Sequence, residues 1–491
     1  MDFVKVALKV IFICFLCIFF QPAVHISAEQ NMEAKLDNYI EDYLEEYQVP
    51  GASVALVHND EIFYSKSWGI TGESEEKVTA ETPFTIGSIS KSLTGLAVMK
   101  LIDEGTIALE DPVLKHLPWF TLKDEEAAAQ ITVKQLLTQS SGISTYSGLD
   151  LSEQGADDKH AINKSTAGLS NIKLAANPGE IYQYSNANYL ILGSLIEEVT
   201  GNSYAEYMEQ EVFLPLGMKD AAADKDTAYE KGYAAGYQSW FGMPRKTAAV
   251  YDNSGASYGY ISASAEDMVK FIRLFHSPES ITLLTESTLK QYTTPYIQTG
   301  ENRFYGLGVR ISNPDSLEKM IWHSGSTPDS HAEVFYLPET GWGGVILTNK
   351  NHILEEAALP ALKQGVIQIL NGQEPVAVPD HKPVVQWIVS GVIFLLFAMW
   401  IDLLRRMKSG KIRKRKGWRI LGIVMLIGSA AVIPLLIYST GSPWHIIHVF
   451  APDVALLTIL LVILLTLNGI FSLLISRKSQ GTYNRKGTVE V

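Results

Sequence analysis

Near its C-terminus the chain carries three almost uninterrupted apolar runs, residues 384–404, 420–438 and 454–475. Each is long enough to cross a ~30 Å hydrocarbon core as a helix. Upstream the pattern changes, and apolar positions recur with the periods of amphipathic helices and half-buried strands. Residues 34–47 predict an amphipathic helix, and 52–58 and 61–68, joined at Asn59-Asp60, predict a β-hairpin. From about 82 to 300 the pattern is mostly helical and rich in loops. Strands return at 306–311, 320–323, 333–337 and 343–348, and a last helix is predicted at 355–370. The expected fold is α/β: an antiparallel sheet assembled from both chain ends and flanked by helices, an inserted mostly helical lobe, then three transmembrane helices.

The first 28 residues read as a signal peptide: Lys5 and Lys9 precede an apolar run at 10–20, and Ile26-Ser27-Ala28 suits cleavage. The soluble domain then covers 29–371, a linker 372–383, and the transmembrane helices 384–404, 420–438 and 454–475. The connection at 405–419 is dense in Lys and Arg, whereas 439–453 has none, so the positive-inside rule puts the former and the 476–491 tail in the cytoplasm. The 29–383 region therefore faces outward from the cell membrane. It carries 25 Lys and Arg against 49 Asp and Glu, a net charge of −24, which repels nucleic acid. Cys14 and Cys17 both fall in the leader, excluding disulfide, thiolate and cysteine-metal chemistry from the mature chain. Asp402 suits the inner membrane boundary, and Asn468 an interhelical hydrogen bond. Trp444, His445, His448 and Asp453 suit a membrane interface better than a metal site, and no cofactor is called for.

The chemistry concentrates in three islands: Gly87-Ser88-Ile89-Ser90-Lys91, Tyr184-Ser185-Asn186 and His323-Ser324-Gly325. A serine hydroxyl is a poor nucleophile near neutral pH and needs a proton acceptor nearby. Ser-x-x-Lys also occurs at Ser74-Lys77, Ser170-Lys173, Ser287-Lys290 and Ser316-Lys319, where it reads as solvated charge. Only Lys91 opens a long apolar run, ending at Gly105, which predicts a buried helix with Ser88 at its N-terminus and Lys91 on the same face. An N-capping serine with a first-turn lysine is the structural alternative.

The ordered triple resembles the penicillin-recognising serine hydrolases of the class C β-lactamase, D,D-peptidase and esterase branch, over roughly residues 36–371. Leu136-Leu137-Thr138-Gln139, Pro178-Gly179-Glu180 and Tyr305-Gly306-Leu307-Gly308 extend the likeness. The resemblance implies Ser88 as the acylated nucleophile, Lys91 and Tyr184 as the acid/base pair, and Asn186 in contact with Lys91 and the substrate amide. It further implies His323 and Gly325 on the strand bordering the substrate, and the backbone N–H groups of Ser88 and Ser326 as an oxyanion hole. The implied activity is acyl-enzyme hydrolysis of D-amino-acid peptides, esters or β-lactams at the cell envelope. A penicillin or wall-fragment sensor that is acylated without efficient turnover is the alternative. Small molecules or peptides and the membrane are the implied partners; no protein partner is indicated.

Three positions depart from the family pattern. His323 stands where penicillin-targeted members carry lysine, so carboxylate capture is expected to be weaker and pH-sensitive. Gln139 replaces a frequent histidine and Asp329 a frequent glycine, from which a reshaped rim is expected.

Overall fold

The computed structural model describes residues 28–247, 251–276, 283–313, 315–316, 318–409 and 415–484. The body of the expected signal peptide, both cysteines, and parts of the basic connection and tail lie outside them. Helix α1 (Ala28–Glu46) leads into the predicted hairpin of β1 (Gly51–His58) and β2 (Glu61–Gly69). The helical region follows, with α2 (Ser90–Asp103), α3 (Asn186–Thr200) and α4 (Ala265–His276) as its longest members. The chain returns to the sheet as β3 (Ile297–Gly300), β4 (Arg303–Tyr305), β5 (Arg310–Ser312), β6 (Met320–Thr327), β7 (Ser330–Leu337) and β8 (Trp342–Thr348). The eight strands lie in the order β2-β1-β8-β7-β6-β5-β4-β3, antiparallel throughout. The sheet is thus closed by pairing the N-terminal hairpin with the last strand, Val54 opposite Ile346.

Alternation along the strands builds a core on each face. Val54, Leu56, Phe335 and Ile346 pack under α1 and α5 (Leu359–Leu370), against Leu36, Ile40, Leu362 and Val366. The opposite residues, including Ala55, Val57, Val334 and Val345, meet α4 and the helical region through Met268, Phe271 and Ile272. Both faces being covered, β1 is buried at seven consecutive residues, apolar except for Ser53, whose hydroxyl pairs with that of Ser67 at 3.0 Å.

One expectation is corrected. The strand expected at 306–311 is a turn closed by Gly306 N–H donating to Val309 O (2.8 Å), with short strands on either side. Gly308 has φ +112°, and a Cβ there would come within 2.8 Å of the Lys91 carbonyl, so this turn is shaped to lie against α2. The predicted linker is pinned to the domain, with Tyr47 Oη donating to Pro379 O (3.0 Å) and Val376 N–H to Gln368 Oε1 (2.8 Å).

The three apolar runs form α6 (Val384–Ser409), α7 (Arg415–Thr440) and α9 (Pro452–Asn484), with a short helix α8 (Trp444–Phe450) between the last two. Asn468 makes the expected interhelical bond, donating to Leu396 O at 3.0 Å, and Asp402 pairs with Arg406 one turn on at 2.6 Å.

Candidate active site

Ser88 sits on a single 3-10 turn, Gly87–Ile89, that runs directly into α2. Gly87 has φ +53°, and a Cβ there would lie 2.2 Å from the Ser326 amide nitrogen. A Cβ on Gly325 would lie 2.0 Å from Ile86 O and 2.6 Å from the Ser88 amide nitrogen. The nucleophile turn and β6 therefore touch backbone to backbone, which brings the amides of Ser88 and Ser326 to one contact. Buried hydroxyls buttress the junction: Thr85 Oγ1 lies 2.9 Å from Thr327 Oγ1 and 2.8 Å from Ser330 Oγ.

Lys91, one turn along, is fully buried. Its Nζ donates to Ser88 Oγ at 3.0 Å and to the Tyr258 carbonyl at 2.7 Å, and among the described residues no carboxylate pairs with it. Burial, and secondarily the nearby Arg310 charge, holds its pKa well below the ordinary lysine value, favouring the neutral amine. By contrast Lys77, Lys173 and Lys290 of the other Ser-x-x-Lys pairs are exposed.

The second island is positioned by Gln139, whose buried side chain accepts from Ser185 N–H at 2.9 Å and whose carbonyl accepts from Gln183 N–H at 2.8 Å. Gln139 thus supports the loop from within and is not part of the cleft lining. Asp329 is likewise structural, accepting from Gly236 N–H (2.8 Å) and Thr327 Oγ1 (3.0 Å). Burial pushes the Tyr184 phenol up to about 12, against the pull of the Arg310 cation. The Lys91 ammonium position lies 4.9 Å from the Tyr184 ring centroid and the Arg310 guanidinium 5.1 Å from it. Asn186 faces the cleft, but its amide donates to Ser152 Oγ (3.0 Å) rather than contacting Lys91.

His323 is placed behind the cleft. It is buried, its Nδ1–H donates to Ser324 O (2.7 Å), and its Nε2 lies 3.3 Å from Tyr305 Oη. Burial, and after it the Arg310 charge, pushes its pKa well below the usual imidazole range, so it is neutral rather than the part-charged carboxylate binder expected. Gly325 and Ser326 do line the cleft, and Ser326 Oγ is 3.0 Å from His331 Nδ1. That histidine contacts Glu333, which accepts from Lys363 at 2.6 Å, a buried chain from β6 to α5.

The cleft encloses ≈ 320 Å³. Ser88, Tyr184, Asn186 and Arg310 supply its polar end; Leu149 and Ile353 are apolar, and Glu153 and Glu356 acidic. Burial pushes the Glu153 carboxyl up to about 8. The cleft also includes Ser442, Ile446 and Phe450, from the connection between α7 and α9. Sequence reasoning did not assign Tyr258, Glu153 or this connection to the site, since each is brought there only by long-range packing.

A family model described as Beta-lactamase matches residues 36–366. Protein flp of Staphylococcus aureus (strain MW2) is 27% identical over 464 residues, covering 90% of each chain, so that match continues into the membrane-length helices. A beta-lactamase of Escherichia coli (strain K12) is 28% identical over 384 residues, 70% of this chain and 94% of that one. Among solved structures, the octameric penicillin-binding protein homologue from Pyrococcus abyssi superposes with a TM-score of 0.60 at 28% identity, covering 70% of this chain and 78% of that chain.

Proposed function

We propose that this chain, which belongs to the Beta-lactamase family, is a membrane-anchored serine hydrolase that acts outside the cytoplasm through an acyl-enzyme. Its substrates in this reading are D-amino-acid peptides, esters or β-lactams of the cell envelope. One observation carries it: a buried lysine, with no carboxylate partner among the described residues, lies 3.0 Å from the hydroxyl of Ser88.

In the proposed cycle Ser88 Oγ bonds to the substrate carbonyl carbon and its proton passes to the neutral Lys91 amine. The amides of Ser88 and Ser326 bind the oxyanion, a contribution of ~10²–10³ in rate per donor. Tyr184, a phenol at neutral pH, gives its proton to the leaving nitrogen or oxygen as that bond breaks, and recovers one from the Lys91 ammonium. Water then repeats the sequence on the ester, releasing the acid and restoring Ser88. With His323 neutral and outside the cleft lining, recognition of a substrate carboxylate falls to the Arg310 guanidinium, which does line it.

The outward orientation is supported by charge and length. Helix α6 of 26 residues extends about 39 Å, so its Arg405-Arg406 end lies far from the cleft, on the side the positive-inside rule assigns to the cytoplasm. A sensor that is acylated without turnover is the second reading, favoured by the contact of the α7–α9 connection with the cleft. Burst kinetics with a chromogenic ester and a cephalosporin separate the two. Continued steady-state release supports the hydrolase, and a stoichiometric burst with no further turnover supports the sensor.

A further inference from the structure

The connection between the second and third membrane-length helices, whose residues suit a membrane interface, is docked on the catalytic domain. Asp453, fully buried at the start of α9, accepts from Phe241 N–H at 3.0 Å and Gln386 Nε2 at 3.3 Å and lies 2.8 Å from His352 Nε2. His445 Nε2 reaches Ser152 O at 3.2 Å, and Gln238 donates to Val449 O. Ile353 N–H donates to Phe450 O at 3.2 Å, which fixes Phe450 beside a second apolar cleft residue. Ser442, just ahead of α8, and Ile446 and Phe450, four apart on one face of it, line the cleft that contains Ser88. His448, between them, is exposed.

We propose that α8 is a substrate-contacting wall of the active site, and that Ile446 and Phe450, with Ile353, form an apolar subsite that selects substrates carrying an apolar group beside the scissile carbonyl. The inference rests on the hydrolase reading above. It adds that the membrane region determines specificity as well as anchoring the enzyme. The polar clamp at Asp453 and His352 positions the wall, while the two apolar side chains make the contact. A group buried against them gains the transfer energy of its methylenes, and a few methylenes in an apolar pocket are worth about 10-fold or more in kcat/KM.

The test uses the full chain in detergent or membranes, with Ile446→Ala, Phe450→Ala and His448→Ala. Each is compared with wild type on two substrate pairs: p-nitrophenyl hexanoate against acetate, and 2-naphthyl acetate against phenyl acetate. Fluorophosphonate labelling of Ser88 is measured in parallel to report an intact nucleophile. The expected result is a fall of about 10-fold in the larger-to-smaller kcat/KM ratio of at least one pair for Ile446→Ala and Phe450→Ala, and a wild-type ratio for His448→Ala. Normal labelling with both ratios unchanged in the two wall variants overturns this inference alone. Absence of Ser88 labelling in the wild type overturns the hydrolase reading and this inference with it.

Discussion

Arg310 lies across Tyr184 from Lys91, so removing its charge should retune the base without touching it. The two cationic centres lie 4.9 and 5.1 Å from the same ring centroid and can be no more than about 10 Å apart. At an effective dielectric of ~20 that separation corresponds to at least about 1.7 kcal/mol of repulsion, or about 1.2 pH units. Arg310 is one of the two causes that depress Lys91. Arg310→Met therefore raises the lysine pKa, and the amine, which has no lone pair to offer while protonated, becomes competent only at higher pH. The acid limb of kcat/KM for an uncharged ester should move upward by about one pH unit, with ~10-fold slower turnover below both midpoints and convergence above them. An uncharged substrate keeps any role of Arg310 in binding carboxylates out of the measurement. Arg310→Lys restores the charge and should bring the limb back, even though the stacking on Tyr184, Tyr305 and Trp322 is not reproduced. A limb that stays in place or moves to lower pH in Arg310→Met would refute Lys91 as the base.

Three further outcomes follow from the same geometry. Gly325→Ala would drive a methyl to 2.0 Å from Ile86 O and separate the turn from β6, so acylation should fall by ~10²-fold or more; near-normal labelling rates would show that this backbone contact is dispensable. Lys363→Met leaves the buried Glu333 carboxylate without its cation and should cost about 3–5 kcal/mol, seen as a lower thermal midpoint of the detergent-solubilised chain. Adding Glu333→Gln should recover most of the loss, and failure to recover would mean that Lys363 acts through packing on Trp322 instead. Protease added to intact cells should cut near the exposed 371–374 segment and release a fragment that still labels at Ser88; cleavage only after the membrane is permeabilised would invert the topology.

Local patterns carried much of the fold. The hairpin at Asn59-Asp60, the apolar run of α2 and the three membrane-length helices are each set by neighbouring residues, and each was found close to its predicted place. The turn at 306–309 was misread as strand because Leu307 and Val309 are apolar; the signal lay in Gly306 and Gly308, which lie against Tyr292 O and α2. Ser88 and Lys91 share one helix turn, so their proximity was legible, whereas the Tyr258 carbonyl reaches Lys91 across 167 residues and leaves no motif. The same holds for Ile446 and Phe450, whose aromatic and aliphatic setting reads equally well as a membrane interface. The motif position of His323 was plain, but its charge was not, because burial and the nearby Arg310 cation decide it.

The central claim is that Ser88 is the residue that becomes acylated. Wild-type chain, Ser88→Ala and Lys91→Ala would be treated with a fluorophosphonate and with a fluorescent penicillin, and the modified peptide mapped by mass spectrometry. The account predicts one adduct, on the peptide containing Ser88, absent in Ser88→Ala and formed orders of magnitude more slowly in Lys91→Ala. An adduct on any other serine, or labelling that persists in Ser88→Ala, would contradict it.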